Sequence, residues 1–148
     1  MQIQEVFDRR RFVFLDGGMG TQLQQRGLQP GQKPELAALE MPDVLTAIHR
    51  DYTAAGADIL DVNVGLPDID EPETMRRVVT AISGAVSLPL QIDSSSPKAI
   101  EAGLRAAPGK CMVNSVNASR TSLEAVLPIA KKYGAAVVGL ALGENGLP

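Results

Sequence analysis

The sequence is poor in several residue types that particular classes of protein need. It has one cysteine, Cys111, which excludes an intrachain disulfide and any metal site built from several cysteines of one chain. Aromatic residues make up 3% of the chain and the net charge is −3, so the sequence predicts neither the stacking platform nor the basic surface that nucleic acid requires. No apolar run reaches membrane-spanning length and the first residues do not resemble a signal peptide, so we expect a cytoplasmic protein.

What is present indicates one α/β domain over residues 1–148. Hydrophobic residues make up 45% and charged residues 21%, which is typical of a globular chain long enough to bury a core. Apolar strand patterns alternate with amphipathic helix patterns five times, and this alternation predicts parallel strands joined by right-handed crossovers. The predicted strands are residues 12–15, 57–65, 90–93, 111–113 and 135–142. The first of them, a continuous apolar run, suits burial on both faces.

Two architectures are compatible with this alternation. One is a doubly wound open sheet, and the other is part of a (βα)8 barrel. A whole barrel typically needs ~250 residues, so this chain is too short to form one alone. A half barrel leaves two open sheet edges, which invite pairing with another copy of the chain. The barrel interpretation therefore predicts a homo-oligomer.

Polar side chains follow three of the predicted strands where each strand ends. They are Asp61, Asn63, Asp93 and Asn114, and ligands of parallel α/β folds bind at that edge of the sheet. After the strand that ends at Asp93, Ser96 is placed to cap the next helix, with Pro97 at its first position. The sequence thus predicts one polar rim built from separate segments.

Three other features carry weaker signals. The glycine-rich stretch from Asp16 to Thr21 is either a close-approach loop for an anionic group or a tight strand-to-helix turn. The acidic stretch 67–72 matches no calcium loop and is explained by the dipole of the helix that follows it. His49 lies one step off an apolar helix face, and we expect it to be a partly exposed helix residue.

Two groups of motifs carry a family resemblance. In residues 1–58 they are Leu15-Asp16-Gly17-Gly18-Met19-Gly20-Thr21, Pro34-Glu35-Leu36, Pro42-Asp43-Val44 and Ala55-Gly56-Ala57-Asp58. In residues 56–148 they are Asp61-Val62-Asn63, Pro89-Leu90-Gln91-Ile92-Asp93-Ser94, Asn114-Ser115-Val116-Asn117 and Tyr133-Gly134-Ala135-Ala136. The first group resembles the start of the homocysteine-binding domain of cobalamin-dependent methionine synthase, and the second resembles the methyltetrahydrofolate-binding domain of the same family.

The resemblance implies a fold and a set of site residues. Both parent domains are (βα)8 barrels, so it implies a partial TIM-type barrel of about five strands, completed by dimerisation. It also implies that the pterin pocket is lined by Asp61, Asn63, Asp93 and Asn114, whose oxygens and amides match the donors and acceptor of a pterin ring edge. Asp93 and Asn114 are the expected catalytic residues, in a pocket that holds and shields the protonated pterin. The homocysteine-type segment adds Asp16, Gly18, Met19 and Glu35 as substrate-binding residues.

The resemblance implies methyl transfer in one-carbon metabolism, with methyltetrahydrofolate as the substrate. The cobalamin and zinc of the full family have no ligands in this chain, so we expect no metal site and an activity that is incomplete without a corrinoid protein or module. The join of two incomplete barrels also fits an alternative function, a chimeric or half-barrel scaffold that is folded and oligomeric but inactive. A doubly wound small-molecule binder that holds an anion at residues 16–21 is a third interpretation.

Overall fold

A four-stranded parallel sheet organises the structure, a computed structural model that describes residues 3–29, 31–32, 34, 37–65, 67–143 and 146. The strands follow the chain in the order β1-β2-β3-β4, at Leu60–Asn63, Leu90–Asp93, Met112–Asn117 and Ala136–Leu140. The helices of the described residues are α1 Ile3–Arg9, α2 Met19–Gln25, α3 Ala37–Glu40, α4 Pro42–Ala54, α5 Glu71–Ala85, α6 Pro97–Ala106 and α7 Arg120–Tyr133. The strand order is sequential and the sheet does not close, as expected for a partial barrel. No helix in these ranges is long and apolar enough to cross a membrane.

The two faces of the sheet differ because alternate residues of a strand point to opposite sides. One face is apolar: Leu60, Val62, Ile92 and Val113 are buried in a core shared with α5, α6 and α7. The other face is polar towards the carboxyl ends of the strands and apolar towards their beginnings, where Ile59 and Met112 pack with Ile3 of α1. In a closed barrel this second face would be the interior. Its polar half is the part that positions the site.

The segment predicted as the first strand does not extend the sheet. It pairs with the residue just before β1 through one parallel bridge between Leu15 and Ile59, and the Phe14 carbonyl accepts hydrogen bonds from the backbone N–H groups of Asp58 (2.7 Å) and Ile59 (3.3 Å). Phe12 and Phe14 are 65% and 62% exposed, so the expectation that this run is buried on both faces is wrong. The segment lies at an open edge of the sheet, where it has a neighbour on one side only.

The helices that follow β1 and β2 begin at capping residues. The Ser96 hydroxyl accepts from the Ala99 N–H (3.4 Å) with Pro97 at the first position of α6, as the sequence predicts. The Asp70 carboxylate accepts from the Glu73 N–H (3.0 Å) at the start of α5. The acidic stretch therefore caps a helix, which agrees with the interpretation by the helix dipole.

Close packing between α6 and the sheet depends on Gly103. A Cβ atom at this position would lie 2.9 Å from Cγ2 of Ile92 and 3.0 Å from Cγ of Met75, both of which are fully buried. Gly84, near the end of α5, is the reverse case, because a Cβ atom there would meet nothing within 4 Å. The two helical glycines therefore differ in the space available for a Cβ atom.

We expect Gly103→Ala to lower the free energy of unfolding by about 1–2 kcal/mol, because overpacking outweighs the gain in helix propensity. Gly84→Ala, the matched control, is expected to raise it by up to about 1 kcal/mol. Urea unfolding followed by circular dichroism measures both changes. A Gly103→Ala variant as stable as Gly84→Ala would contradict this packing.

Candidate functional site

The predicted polar rim forms at the carboxyl ends of β1, β2 and β3. Asn63 pairs in register with Asp93, and Asp93 pairs in register with Asn114. The Asn63 amide donates to Oδ2 of Asp93 (3.0 Å), and its Oδ1 accepts from the backbone N–H of Gly65 (2.9 Å). These two contacts fix the orientation of the Asn63 amide. One strand-end row thus brings together side chains that are about 30 and 20 residues apart in sequence, as expected for parallel strands.

Asp61 lies one pleat deeper on the same face and is held from several sides. Its backbone N–H donates to Oδ1 of Asp16 (2.9 Å), and its carboxylate accepts from the side-chain amide of Gln91. Burial, together with the charges of Asp93 and Asp16, raises the pKa of Asp61 to about 6, although hydrogen bonds from Gln91 and Asn114 act in the opposite direction. A carboxyl group with a pKa this close to neutrality is suited to recognition or proton transfer.

The glycine-rich turn brings Asp16 under the sheet rim. Oδ2 of Asp16 lies 3.5 Å from Nδ1 of His49, and both side chains are almost fully buried. His49 is 2% exposed, so the expectation of a partly exposed helix residue is wrong. The reason is that α4 packs Ile48 against Leu23 of α2 and Ala37 of α3, while His49 lies against Asp16 of the turn. Helical periodicity alone does not reveal this second contact.

The other residues expected from the first segment have different positions. The Gly18 carbonyl accepts from the Tyr52 hydroxyl (3.4 Å), and Gly18 caps the start of α2. Gly17 leaves room for Tyr52, because a Cβ atom there would lie 3.0 Å from the tyrosine oxygen. Met19 lines a cavity together with Asp16. Glu35 lies outside the described residues.

Three neighbouring cavities share the rim residues. One of about 270 Å³ lies between the glycine-rich turn and the sheet and is lined in part by Asp16, Asp61, Asn63 and Asn114. A second, of about 500 Å³, is bordered by Asp93, Asn114 and the hydroxyl-bearing side chains that follow β2 and β3. A third, of about 480 Å³, includes Asn63 and Asp93. Clefts of this volume fit a small ligand, and the predicted residues lie where the clefts adjoin.

Three side chains of this region were not predicted as site residues. Gln91 contacts Asp61, His49 faces Asp16, and Glu71 of α5 accepts a hydrogen bond from the hydroxyl of Ser94 directly after β2. The alternation of β2 could have revealed Gln91, because it lies two residues before Asp93 and therefore points to the same face. No local signal marks His49 or Glu71, whose roles depend on how helices dock.

The described residues do not fit a zinc site. They contain no group of three or more His, Cys, Asp or Glu side chains that could hold a metal ion. Cys111 is buried, its thiol contacts the Gly109 carbonyl at 3.6 Å, and burial raises its pKa to about 11. A thiol held protonated in a core is a poor metal ligand.

Comparison with known proteins assigns the chain to a family. Residues 35–145 match the family described as pterin binding enzyme, and this range includes every rim residue and Asp61. The chain therefore belongs to the pterin-binding enzymes.

The chain is similar in sequence to methionine synthases and in fold to a homocysteine methyltransferase. The chain is 30% identical over 104 residues to methionine synthase of Mycobacterium tuberculosis and 29% identical over 104 residues to methionine synthase of Mycobacterium leprae. Each match covers 67% of this chain and 9% of the relative, so the chain spans about a tenth of those enzymes. The fold is similar to homocysteine methyltransferase MmuM from Escherichia coli in its apo form, with a TM-score of 0.68, 19% identity, and coverage of 97% of this chain and 66% of that one.

The Asp61 carboxyl group predicts a pH-dependent stability. Its pKa in the folded state is about 6 against an ordinary value of 3.8, so between these values the folded state binds more protons than the unfolded state. The contribution of Asp61 to stability is therefore present at low pH and is lost as the pH rises through this window. Asp61→Asn removes that loss.

We expect Asp61→Asn to be more stable than the wild type by about 1 kcal/mol at pH 8, a figure reduced for solvent screening of a half-buried group, and to show no such advantage near pH 4. Urea unfolding across pH 4–8 measures the difference. Asp8→Asn on the exposed face of α1 controls for the change in net charge. An advantage that does not vary with pH would contradict this origin.

Proposed function

We propose that this chain binds the pterin ring of methyltetrahydrofolate at the rim of β1, β2 and β3 and serves in methyl transfer of the methionine synthase type. The observation that carries the proposal is the alignment of Asn63, Asp93 and Asn114 in one row at the strand ends, next to the half-buried Asp61. Membership of the pterin-binding enzymes and the similarity to methionine synthases support it.

The chemistry of the rim suits a pterin ring. Its pyrimidinone edge presents N–H donors beside a carbonyl acceptor, and a row of carboxylates and amides can satisfy both kinds of group. Asn63 has both of its polar atoms engaged by Asp93 and Gly65, so it supports Asp93, while Asp93 keeps a second carboxylate oxygen for the ligand. Asp93 and Asn114 are therefore the proposed catalytic residues, and Asn63 and Asp61 complete the pocket.

The proposed step breaks the bond between N5 of the pterin and its methyl group. The methyl group moves without the bonding electron pair to an acceptor nucleophile, and N5 keeps that pair and a proton. A protonated pterin is the better leaving group, and nearby carboxylates such as Asp61 and Asp93 stabilise its positive charge. The acceptor is proposed to come from a corrinoid protein or module, because the described residues hold no group of three or more His, Cys, Asp or Glu side chains that could bind a zinc ion for thiol activation.

We expect full-length wild-type chain to bind 5-methyltetrahydrofolate in isothermal titration calorimetry. Asp93→Ala should weaken binding roughly tenfold to a hundredfold, because it removes a charged acceptor from the rim. Asp43→Ala, which changes an exposed aspartate at the start of α4, is the matched control and should bind as the wild type does.

Absence of heat with the wild type at millimolar folate would overturn the proposed function. Equal affinities of Asp93→Ala and the wild type would place the ligand away from the rim.

The open edges of the sheet favour a second proposal, that two copies of the chain associate. Residues 12–15 form one edge, with Phe12 and Phe14 more than half exposed, and β4 forms the other, with Leu140 45% exposed. In a two-fold symmetric dimer, residues 12–15 of each copy could pair in parallel with β4 of the other copy. Both open edges would then have hydrogen-bond partners. A folded dimer without activity is the scaffold alternative to a methyltransferase.

We expect size-exclusion chromatography with light scattering to give a dimer for the wild type and a monomer for Phe14→Lys, because a charge at a sheet edge blocks edge pairing. Phe7→Lys changes an exposed phenylalanine of α1 and is the control. A wild-type chain that is monomeric at ~100 μM would contradict this association, which standard interfaces maintain at far lower concentrations.

A further inference from the structure

Gln91 is a buried polar residue of the inner sheet face to which the proposed function assigns no task. It lies in the middle of β2, is 4% exposed, and pairs in register with Asp61 on one side and Met112 on the other. An apolar side chain would fill the same space without any need for hydrogen bonds. The presence of an amide at this depth therefore requires a physical reason.

The contacts of the amide show what it does. Its Nε2 group donates to Oδ1 of Asp61, and a carboxylate oxygen can only accept, so the nitrogen must face Asp61 and the carbonyl oxygen must face away. That carbonyl oxygen, Oε1, is buried with no hydrogen-bond partner among the described residues. Because an unpaired buried acceptor lowers stability, the arrangement favours the Asp61 contact at the expense of the other end of the amide.

The Asp61 carboxyl group needs such a donor because its surroundings are acidic. Asp16 of the glycine-rich turn and Asp93 of β2 both act on it electrostatically, and His49 of α4 lines the same cavity beyond Asp16. Besides Gln91, Asn114 of β3 contributes a hydrogen bond to the Asp61 side chain. Among the groups that lower the pKa of Asp61, Gln91 has the largest effect. Its loss would therefore make the charged form of Asp61 less stable.

We propose that Gln91 is a positioning residue, which holds the Asp61 carboxylate charged and oriented towards the ligand cavity by donating its side-chain N–H to Oδ1. The inference rests on the proposed binding of a pterin, and it assigns the recognition of a ring N–H to the ionised form of Asp61. Gln91 acts through Asp61 and need not touch the ligand.

The test follows the charge of Asp61 in the full-length chain without ligand and then the binding of 5-methyltetrahydrofolate over a range of pH. Carbon-13 NMR of the Asp61 carboxyl, assigned with Asp61→Asn, gives the first midpoint, and calorimetry gives the second. Gln91→Met keeps the size of the side chain and removes the donor. Gln91→Glu also keeps the size and is the second variant if Gln91→Met fails to fold.

Both variants are expected to move the Asp61 midpoint upward, by about one pH unit for Gln91→Met, since a lost hydrogen bond to the charged form disfavours it. The decline of folate affinity at low pH should begin at a correspondingly higher pH, so that affinity falls several-fold near pH 6.5 and stays within about twofold of the wild type at pH 9. The titration of the ligand itself is the same for the wild type and every variant, so it cancels in the comparison. Gln25→Met, an exposed glutamine of α2, is the matched control and should change neither midpoint.

A folded variant with an unchanged Asp61 midpoint, or one whose affinity falls equally at every pH, would overturn the inference and leave the proposed function in place. A wild-type chain that does not bind the folate at any pH would overturn both, because Asp61 would then have no ring to recognise.

Discussion

The structure depends on the parallel register that aligns Asn63, Asp93 and Asn114. Three strands reach the same edge with their polar residues in one row, and the hydrogen bond from Asn63 to Asp93 ties the first two together at 3.0 Å. A shift of one residue in any strand would turn its polar side chains into the apolar layer beneath the helices. The same register therefore places the site on one face of the sheet and the core on the other, and the burial of Val62, Ile92 and Val113 stabilises this register.

The first third of the chain contributes to this site without extending the sheet. Asp16 accepts a hydrogen bond from the backbone N–H of Asp61 and faces His49, so the glycine-rich turn fixes the backbone of β1 at a residue of the site. The boundary at residues 56–58 that the two resemblances indicate is therefore bridged by this hydrogen bond and by the packing of Ile3 with Ile59 and Met112. Such contacts across the boundary support the proposal that residues 1–148 form a single domain.

Much of the site followed from local sequence patterns, and the rest depended on tertiary packing. Asp93 and Ser96 were predictable because strand alternation and helix capping act over a few residues. The exposure of Phe14 was not, because a continuous apolar run reads as a buried strand whether or not a second neighbour is present. The burial of His49 arises from the docking of α4 on the glycine-rich turn, and Gln91 was missed although the same alternation that identified Asp93 places it on the same face.

The most direct measurement is a crystal structure of the full chain with 5-methyltetrahydrofolate. The account predicts that the pyrimidinone edge of the ring hydrogen-bonds with Asp93 and Asn114 at the carboxyl ends of β2 and β3, with Asp61 at the base of the same pocket. A ring bound on the helical side of the sheet, or at its amino-terminal edge beside Ile59 and Met112, would contradict the assignment of the rim as the pterin site.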